Sequence, residues 1–404
     1  MAYQVNSFVH AVEAPPISEA MTWISPSPQN RALINLCQAV PSYPPAPALQ
    51  DHVARMAQQP ETSLYTDISG LPELRSALAD HMAQAYGGSV DARDVIVAAG
   101  CNQAFCVAMM ALAKPGDNVI VPSPYYFNHQ MWLTMQGIEV RSIPAIGIDG
   151  PSLDPVAAAE LVDDRTRAVV LVSPNNPTGA VLPSETIESF FELARARRIA
   201  LVIDETYKDF RDGQDPPHRL FQKADWRDVF VQLYSFSKVY ALTGYRVGSI
   251  IAGPRLIGEI EKIMDCVAIC APRIGQLAAL YGLEALGEWK EEKRRLMASR
   301  LTALRAAMTL PGLTYGVVSA GAYFAYLRHP FGDTPGKEVA RRLAREHNLL
   351  CLPGSMFGPG QEQYLRLAFA NVDSDLMPDM ASRLLESQSA RWPTWPLHRG
   401  PLRA

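Results

Sequence analysis

Short apolar runs recur through the middle of the chain, most closed by Gly, Pro, Ser or Asp. VIVAAG (95–100), VIVPSP (119–124), AVVLVSP (168–174), ALVIDE (200–205), VFVQLYS (229–235) and VGSIIAG (247–253) have the length and β-branched content of buried strands. Between several of them the apolar period lengthens to that of a helix, in NQAFCVAMMALAK (102–114) and SETIESFFELARARR (184–198). Upstream, LPELRSALADHMAQAYGG sets Leu71, Leu74, Leu78 and Met82 on one helical face and stops at Gly87-Gly88, a C-terminal helix signal. Strands alternating with helices predict an α/β fold, a mainly parallel sheet covered on both faces. Ligands of such sheets gather at the carboxyl ends of the strands.

After about residue 285 the pattern changes. EWKEEKRRLMASRLTALRAAM predicts a long charged helix, and AYFAYLR and YLRLAFA predict strands with the helix VARRLAREHN between them. This is a smaller α+β unit. The expected division is 1–48 for an N-terminal arm with part of the small domain, 49–284 for the large domain, 285–390 for the small domain and 391–404 for an irregular tail. The Pro-rich stretch AVPSYPPAPAL (39–49) is expected to cross towards the site or to pack on the small unit.

Composition narrows the function. At 404 residues, with 48% hydrophobic and 19% charged, the chain can bury a large core and more than one domain. A net charge of -4 excludes the basic footprint needed for nucleic acid or an anionic membrane and points to a small-molecule substrate. The six cysteines form no CxxC pair, so buried free thiols in a reducing compartment are expected. Cys266 and Cys270 are spaced to share a helix face, but no histidine is near them in sequence and no metal site is expected. The first residues lack the basic start and apolar block of a secretion signal, and the run AFCVAMMALA is about half the ~20 residues of a membrane span. A cytoplasmic location is expected.

The candidate chemistry sits at predicted strand ends. Lys238, in YSFSKVYALTGYRVGS, follows the strand VFVQLY, an odd place for an ordinary surface charge. Asp204 closes ALVIDE in the motif DETY, and a carboxylate there must be paired or hydrogen-bonded. Asn176 lies in SPNNPTG. Gly100-Cys101-Asn102-Gln103 joins a strand to a helix, where successive N–H groups form an anion pocket. Arg246 adds a planar charged fork and Ser235 and Ser237 add hydroxyls. Taken singly, these are a cap, a turn, a helix start and surface residues. Together they supply a phosphate cradle, a buried acid, an amide with a phenol, and a lysine, the set that pyridoxal 5'-phosphate requires. Lys208, just after DETY, lacks the flanking serines and is expected to be solvated.

Five ordered motifs, YTDISGLPELR, PSPYY, NNPTG, DETY and SFSKVYALTGYRVG, followed by YLRLAFA, carry a resemblance over roughly residues 33 to 380. The chain resembles the class I/II aminotransferases, fold-type I pyridoxal phosphate enzymes related to aspartate aminotransferase. The resemblance implies a large domain with a mainly parallel mixed sheet sandwiched by helices, plus a smaller α+β domain. It implies a ping-pong transfer of the amino group of an L-amino acid to a 2-oxo acid. Lys238 would be the Schiff-base lysine, Asp204 the partner of the pyridinium nitrogen, and Asn176 and Tyr207 the partners of the ring phenolic oxygen. Lys238, Asp204 and Tyr207 form the catalytic group. Tyr126 would stack on the ring, Cys101 and Asn102 would offer backbone N–H groups to the phosphate, and Ser235, Ser237 and Arg246 would add side chains. Tyr65 matches a tyrosine that reaches the phosphate of the other subunit, which implies a homodimer sharing its sites. Arg366 would grip the substrate carboxylate, with Asn176 and Ala39 beside the substrate.

Ala39, in CQAVPSYPP, departs from the family, where a glycine is usual, and its methyl bears on substrate preference. No second arginine is assignable to a side-chain carboxylate, and Tyr125, Tyr126, Phe127 and Trp132 are candidate lining for aromatic or larger apolar substrates. Alternatives that keep the cofactor are a C–S lyase, an oxidase or hydroxylase, or a decarboxylase. The remote alternative is a non-catalytic ligand sensor of the same fold.

Overall fold

A computed structural model of the chain describes residues 3–25, 31–147, 150–213 and 215–389. The tail expected at 391–404 lies outside the described residues. Seven strands form the main sheet: β1 (Val95–Ala98), β2 (Asn118–Ser123), β3 (Glu139–Pro144), β4 (Thr166–Val172), β5 (Ala200–Asp204), β6 (Phe230–Ser235) and β7 (Gly248–Ile251). Their order across the sheet is β1-β7-β6-β5-β4-β2-β3. Strands β3, β2, β4, β5 and β6 run parallel, and β7 is antiparallel to both of its neighbours, β1 and β6. The expected mainly parallel sheet is present, with the six apolar runs as six of its strands.

Both faces of this sheet are covered, which explains why the runs are apolar at nearly every position. Val95 and Val97 enter one core while Ile96 and Ala98 enter the other, and Val169 and Leu171 alternate in the same way with Ala168 and Val170. On the first face lie α1 (Pro47–Ala57), α2 (Pro72–Tyr86), α5 (Ser184–Arg197) and α7 (Arg273–Ala285). The second face holds α3 (Cys101–Leu112), α4 (Phe127–Met135) and α6 (Pro254–Val267). Helix α2 buries Leu74, Leu78 and Met82, and Leu71 just before it, as the spacing predicts, and ends on Gly87 at φ 65°, whose N–H reaches the Ala83 carbonyl.

A third core belongs to the small unit. Helix α8 (Gly287–Ala307) leads to a four-stranded antiparallel sheet of β8 (Gly316–Gly321), β9 (Phe324–Arg328), β10 (Leu352–Pro353) and β11 (Tyr364–Leu367), in the order β8-β9-β11-β10. Helices α9 (Gly336–His347) and α10 (Met377–Gln388) pack on it. Ala20, Trp23, Ile34, Leu36 and Cys37 join this core from the N-terminal part of the chain.

Two expectations need correction. Lys208 is buried rather than solvated. Its ammonium meets Asp209 at 3.0 Å and lies 3.4 Å from His81 Nε2 and 4.8 Å from the centre of the Tyr234 ring. A buried ammonium is tolerated when paired in this way, and His81 comes from a distant helix. The second correction concerns the thiols. Cys37, Cys101 and Cys351 are buried and Cys106 and Cys270 half-buried, but Cys266 is exposed. Helix α6 ends at Val267, so Cys266 and Cys270 share no helix face. Among the described residues no cluster of three His, Cys, Asp or Glu side chains is placed to hold a metal, and no helix is long and apolar enough to cross a membrane.

The fully buried Leu78 tests the first core. Leu78→Ala is expected to lower stability by about 2–5 kcal/mol. Asp80→Ala, on the exposed face of the same helix, should change it by less than about 0.5 kcal/mol. Equilibrium urea denaturation of the two variants measures the difference.

Candidate active site

The strand registers align the chemistry. Asp204 pairs across with Val172 and with Leu233, Ser235 with Gly248, and Gly248 with Ala98. The carboxyl ends of β1, β4, β5 and β6 therefore meet at one level, and a pocket of about 390 Å³ opens there. Lys238, Asp204, Tyr207, Cys101, Asn102, Tyr126, Asn176, Ser235, Ser237, Arg246, Arg366 and Ala39 all line it. Tyr65 does not. It is 73% exposed, and its carbonyl accepts a bond from Arg273 Nη1 at 3.4 Å.

One end of the pocket is built for an anion. Helix α3 starts at Cys101 directly after Gly100, which adopts φ 86°. A methyl group on Gly100 would overlap the Arg246 guanidinium, so only glycine lets that charge lie against the helix start. Gly248 is confined similarly, since a Cβ there would fall 2.9 Å from the Cys101 nitrogen. Arg246, itself at φ 52°, donates to the carbonyls of Thr243 at 2.9 Å and Ala99 at 3.4 Å. Ser235 Oγ accepts from Ser237 N at 3.2 Å, and both serines line the same wall.

Asp204 is the fixed negative charge. Burial acts to raise its pKa, but the His129 ring and the hydrogen bonds from Thr206 outweigh burial and hold it below the usual carboxylate value. Thr206 N donates to Oδ1 at 3.0 Å, and His129 Nε2 lies 3.3 Å from Oδ2, at ion-pair distance but poorly aligned as a hydrogen bond. His129 stacks on Phe105 at 3.9 Å between ring centres and meets the Tyr126 ring edge-on. The Tyr126 hydroxyl reaches Asn102 Oδ1 at 3.3 Å.

Lys238 sits on the short helix Phe236–Val239 that leaves β6. Burial, with Arg246 and Arg366 nearby, pulls its pKa from the ordinary 10.5 to about 8. Its amine donates to the Ala39 carbonyl at 2.5 Å. Arg366, on β11, is 2% exposed and donates to Asn176 Oδ1 at 3.1 Å and to the Cys37 carbonyl. Its guanidinium lies 5.1 Å from the ring centres of both Phe324 and Phe357, and its Nε has no hydrogen-bond partner among the described residues. Burial lowers the Arg366 pKa, yet guanidinium stays charged at any ordinary pH.

His129 and Thr206 escaped the sequence reading. His129 lies three residues after Tyr126 on the same helical face, a spacing that could have flagged it. Pro15, Pro16 and Ile17 also line the pocket, brought there by long-range packing with no local signal. Of the four aromatic candidates, Tyr126 and Phe127 line this pocket and Trp132 lines a neighbouring recess, while Tyr125 faces a separate cavity beside β4. The Ala39 methyl packs towards the cluster of Tyr207, Phe210 and Tyr323, and its carbonyl is the group that meets Lys238.

Comparison with known proteins converges on the same chemistry. The family model "Aminotransferase class I and II" matches residues 31–384. The chain belongs to this family. It is 30% identical to an aromatic aminotransferase of Arabidopsis thaliana over 87% of this chain and 88% of the relative. It is also 30% identical to an aspartate aminotransferase of Thermotoga maritima, over 84% and 87%. The solved aspartate aminotransferase of Thermus thermophilus with maleate superposes with a TM-score of 0.86 at 25% identity, covering 95% of this chain and all of that one. The chain is thus a pyridoxal-phosphate-dependent aminotransferase of fold type I, acting on an amino acid and a 2-oxo acid.

The pocket of this aminotransferase fits that cofactor. The glycine-only approach of Arg246 to the start of α3 suits a phosphate, the ionised buried Asp204 suits a protonated ring nitrogen, and an amine near half-neutral suits an aldehyde. Because the neutral amine is the nucleophile, capture of added pyridoxal phosphate by apoprotein should quicken about tenfold per pH unit below pH 8 and level off above it. Stopped-flow absorbance measures this profile, and an unperturbed lysine would defer the plateau by more than about two units.

Proposed function

We propose that this aminotransferase works through Lys238 as the cofactor-bonding and proton-moving amine, Asp204 as the partner of the ring nitrogen, and Arg366 as the clamp for the substrate carboxylate. The observation that carries this reading is the meeting of two cations, a half-buried Lys238 and a buried Arg366, in one pocket, with Arg366 Nε unpartnered among the described residues. A guanidinium held among Asn176, a carbonyl and two phenyl rings is poised for a carboxylate, its charge-assisted bidentate match. The bound cofactor supplies an aldehyde and an electron-withdrawing ring.

The chain's own residues do the rest. Arg366 and Asn176 fix the amino acid by its carboxylate. Lys238, with a pKa near 8, takes the proton from the α-carbon and returns it, an amine matched to both directions at neutral pH. Asp204 stays ionised throughout because His129 and Thr206 stabilise its charge. Tyr207 and Asn176 are assigned to the ring phenolic oxygen and Tyr126 to the ring face. Cys101, Asn102, Ser235, Ser237 and Arg246 are assigned to the phosphate. Ala39 is assigned to the substrate side of the pocket.

The exposed Tyr65 supports a homodimer in which this side chain reaches the phosphate site of the other copy. The separate cores support two domains, residues 49–284 and 285–390, with residues 1–48 shared between an arm and the smaller domain. The unpaired cysteines support a reducing, cytoplasmic location.

Lys238→Ala should lose the visible absorbance of the bound cofactor and at least about a thousandfold in turnover. Retention of wild-type transamination would end the assignment. Arg366→Ala should keep the absorbance and raise KM for the amino donor roughly ten- to a hundredfold, read from steady-state kinetics with a 2-oxo acid acceptor.

A further inference from the structure

The backbone from Cys37 to Val40 passes both Lys238 and Arg366, yet among the described residues it makes no hydrogen bond to another main-chain group. Its bonds go to side chains. The Cys37 N–H donates to Asn35 Oδ1 at 3.0 Å, the Cys37 carbonyl accepts from Arg366, and the Ala39 carbonyl accepts from Lys238. Asn371 supplies the rest. Its Nδ2 donates to the Gln38 carbonyl and, at 3.3 Å, to the Asn35 carbonyl, while its Oδ1 accepts from Val40 N at 2.9 Å. Each polar group of one amide thus meets a complementary main-chain group. Asn371 closes the short turn Phe369–Asn371 that follows β11, the strand of Arg366. That turn is itself anchored, because Ala368 N donates to the Leu36 carbonyl at 2.8 Å and the buried Arg300 donates to the Ala370 carbonyl at 2.6 Å.

We propose that Asn371 is a positioning residue, holding the Cys37–Val40 backbone in the shape that aims the Ala39 carbonyl at Lys238 and the Cys37 carbonyl at Arg366. This rests on the roles given to Lys238 and Arg366 under the aminotransferase reading and goes beyond them. No sheet ladder or helix fixes the segment, so its shape depends on the side chains that satisfy its main-chain groups. Two of those side chains have other tasks, since Lys238 is assigned to the cofactor and Arg366 to a carboxylate. Asn35 reaches only the Cys37 N–H, two residues along the same segment. Asn371 has no such second task, and its bonds to Asn35, Gln38 and Val40 persist whichever ligand the cations engage. Its place in the chain suits the role. Asn371 follows Arg366 on one run, so a single stretch sets both the guanidinium and the backbone opposite it.

The test uses Asn371→Ala and the near-isosteric Asn371→Leu, with Leu384→Ala as a control that empties part of the small unit's core without touching the segment. A charged amine that loses an acceptor gives up its proton more readily. Capture of added pyridoxal phosphate by either Asn371 apoprotein should therefore level off at least about half a pH unit below the wild-type plateau near pH 8. The other titratable groups around Lys238 in the pocket, Arg246, Arg366, Asp204, Tyr126, Tyr207 and Cys101, are unchanged by these substitutions. In the holoenzyme, KM should rise about tenfold and by a similar factor for each of L-alanine, L-phenylalanine and L-aspartate that the wild type turns over, because all present the same α-carboxylate. Leu384→Ala should lower the melting temperature and leave both the pH profile and KM as in the wild type. A capture plateau at the wild-type pH in the Asn371 variants, or the same shift in Leu384→Ala, would overturn the proposal. Should neither Asn371 variant fold, hydrogen–deuterium exchange of the wild-type holoenzyme decides. A Val40 amide slowed at least about a hundredfold supports the clamp, and one exchanging as fast as a free amide ends it. Wild-type protein that captures no cofactor and shows no visible absorbance would instead defeat the reading of Lys238 beneath it.

Discussion

Three cationic side chains face one pocket whose described lining holds a single carboxylate, and the rest of the architecture serves that imbalance. Lys238 relieves part of it by giving up its proton more readily, with a pKa near 8. Arg246 and Arg366 have no such release, because guanidinium does not deprotonate in the accessible range. Each arginine is therefore held by carbonyls, an amide or aromatic faces, partners that tolerate a cation without neutralising it. Such an arrangement costs stability on its own and is repaid by anionic ligands. The family's cofactor and substrates bring two: a phosphate and an α-carboxylate.

The imbalance also explains why two cores are needed. Arg246 lies two residues before β7 of the main sheet, whereas Arg366 lies within β11 of the small antiparallel sheet. Arg366 is buried where the two sheets meet, although Arg246 stays exposed at the other end of the pocket. Brought together, the two sheets enclose a space in which charges act through a lower dielectric and geometry is fixed before the substrate arrives. The adjacent acids of DETY show how local the division between chemistry and framework is. Asp204 faces the pocket, while Glu205 is fully buried among Tyr86, His218 and Gln232, with the Tyr86 hydroxyl 2.7 Å from its Oε2. One acid lines the pocket and its neighbour belongs to the frame.

Much of this was legible in the sequence because the site is built at strand ends. A buried strand is a short apolar run, and whatever polar residue closes it is presented at the edge of the sheet; Asp204, Ser235 and the Gly100–Cys101 turn needed no tertiary information. Strand β3 was missed for the converse reason. It is one of the sheet's two edges, and unlike β1 at the other edge it carries Glu139 and Arg141 in ion pairs with Arg165 and Asp163, so its run is not apolar. The burial of Lys208 and the place of His129 depend on residues far away in the chain, His81 and Tyr234 for the first and Asp204 for the second. Pro15, Pro16 and Ile17 carry no local mark of their place in the pocket wall.

The stretch from Cys37 to Val40 ties these parts together. The Cys37 carbonyl accepts from Arg366, the Ala39 carbonyl accepts from Lys238, and Val40 N donates to Asn371 Oδ1 at 2.9 Å. A backbone segment thus meets Lys238 and Arg366 within three residues, and the Asn371 side chain and the packing of Cys37 help hold it in place. This makes the substitution of alanine for the family's usual glycine intelligible. At position 39 the requirement is a carbonyl aimed at Lys238, and a methyl is compatible with it because it packs towards the Tyr207 and Tyr323 cluster. A larger side chain at the same position would have to displace those rings or enter the pocket. Position 39 therefore limits the space beside the Lys238 amine.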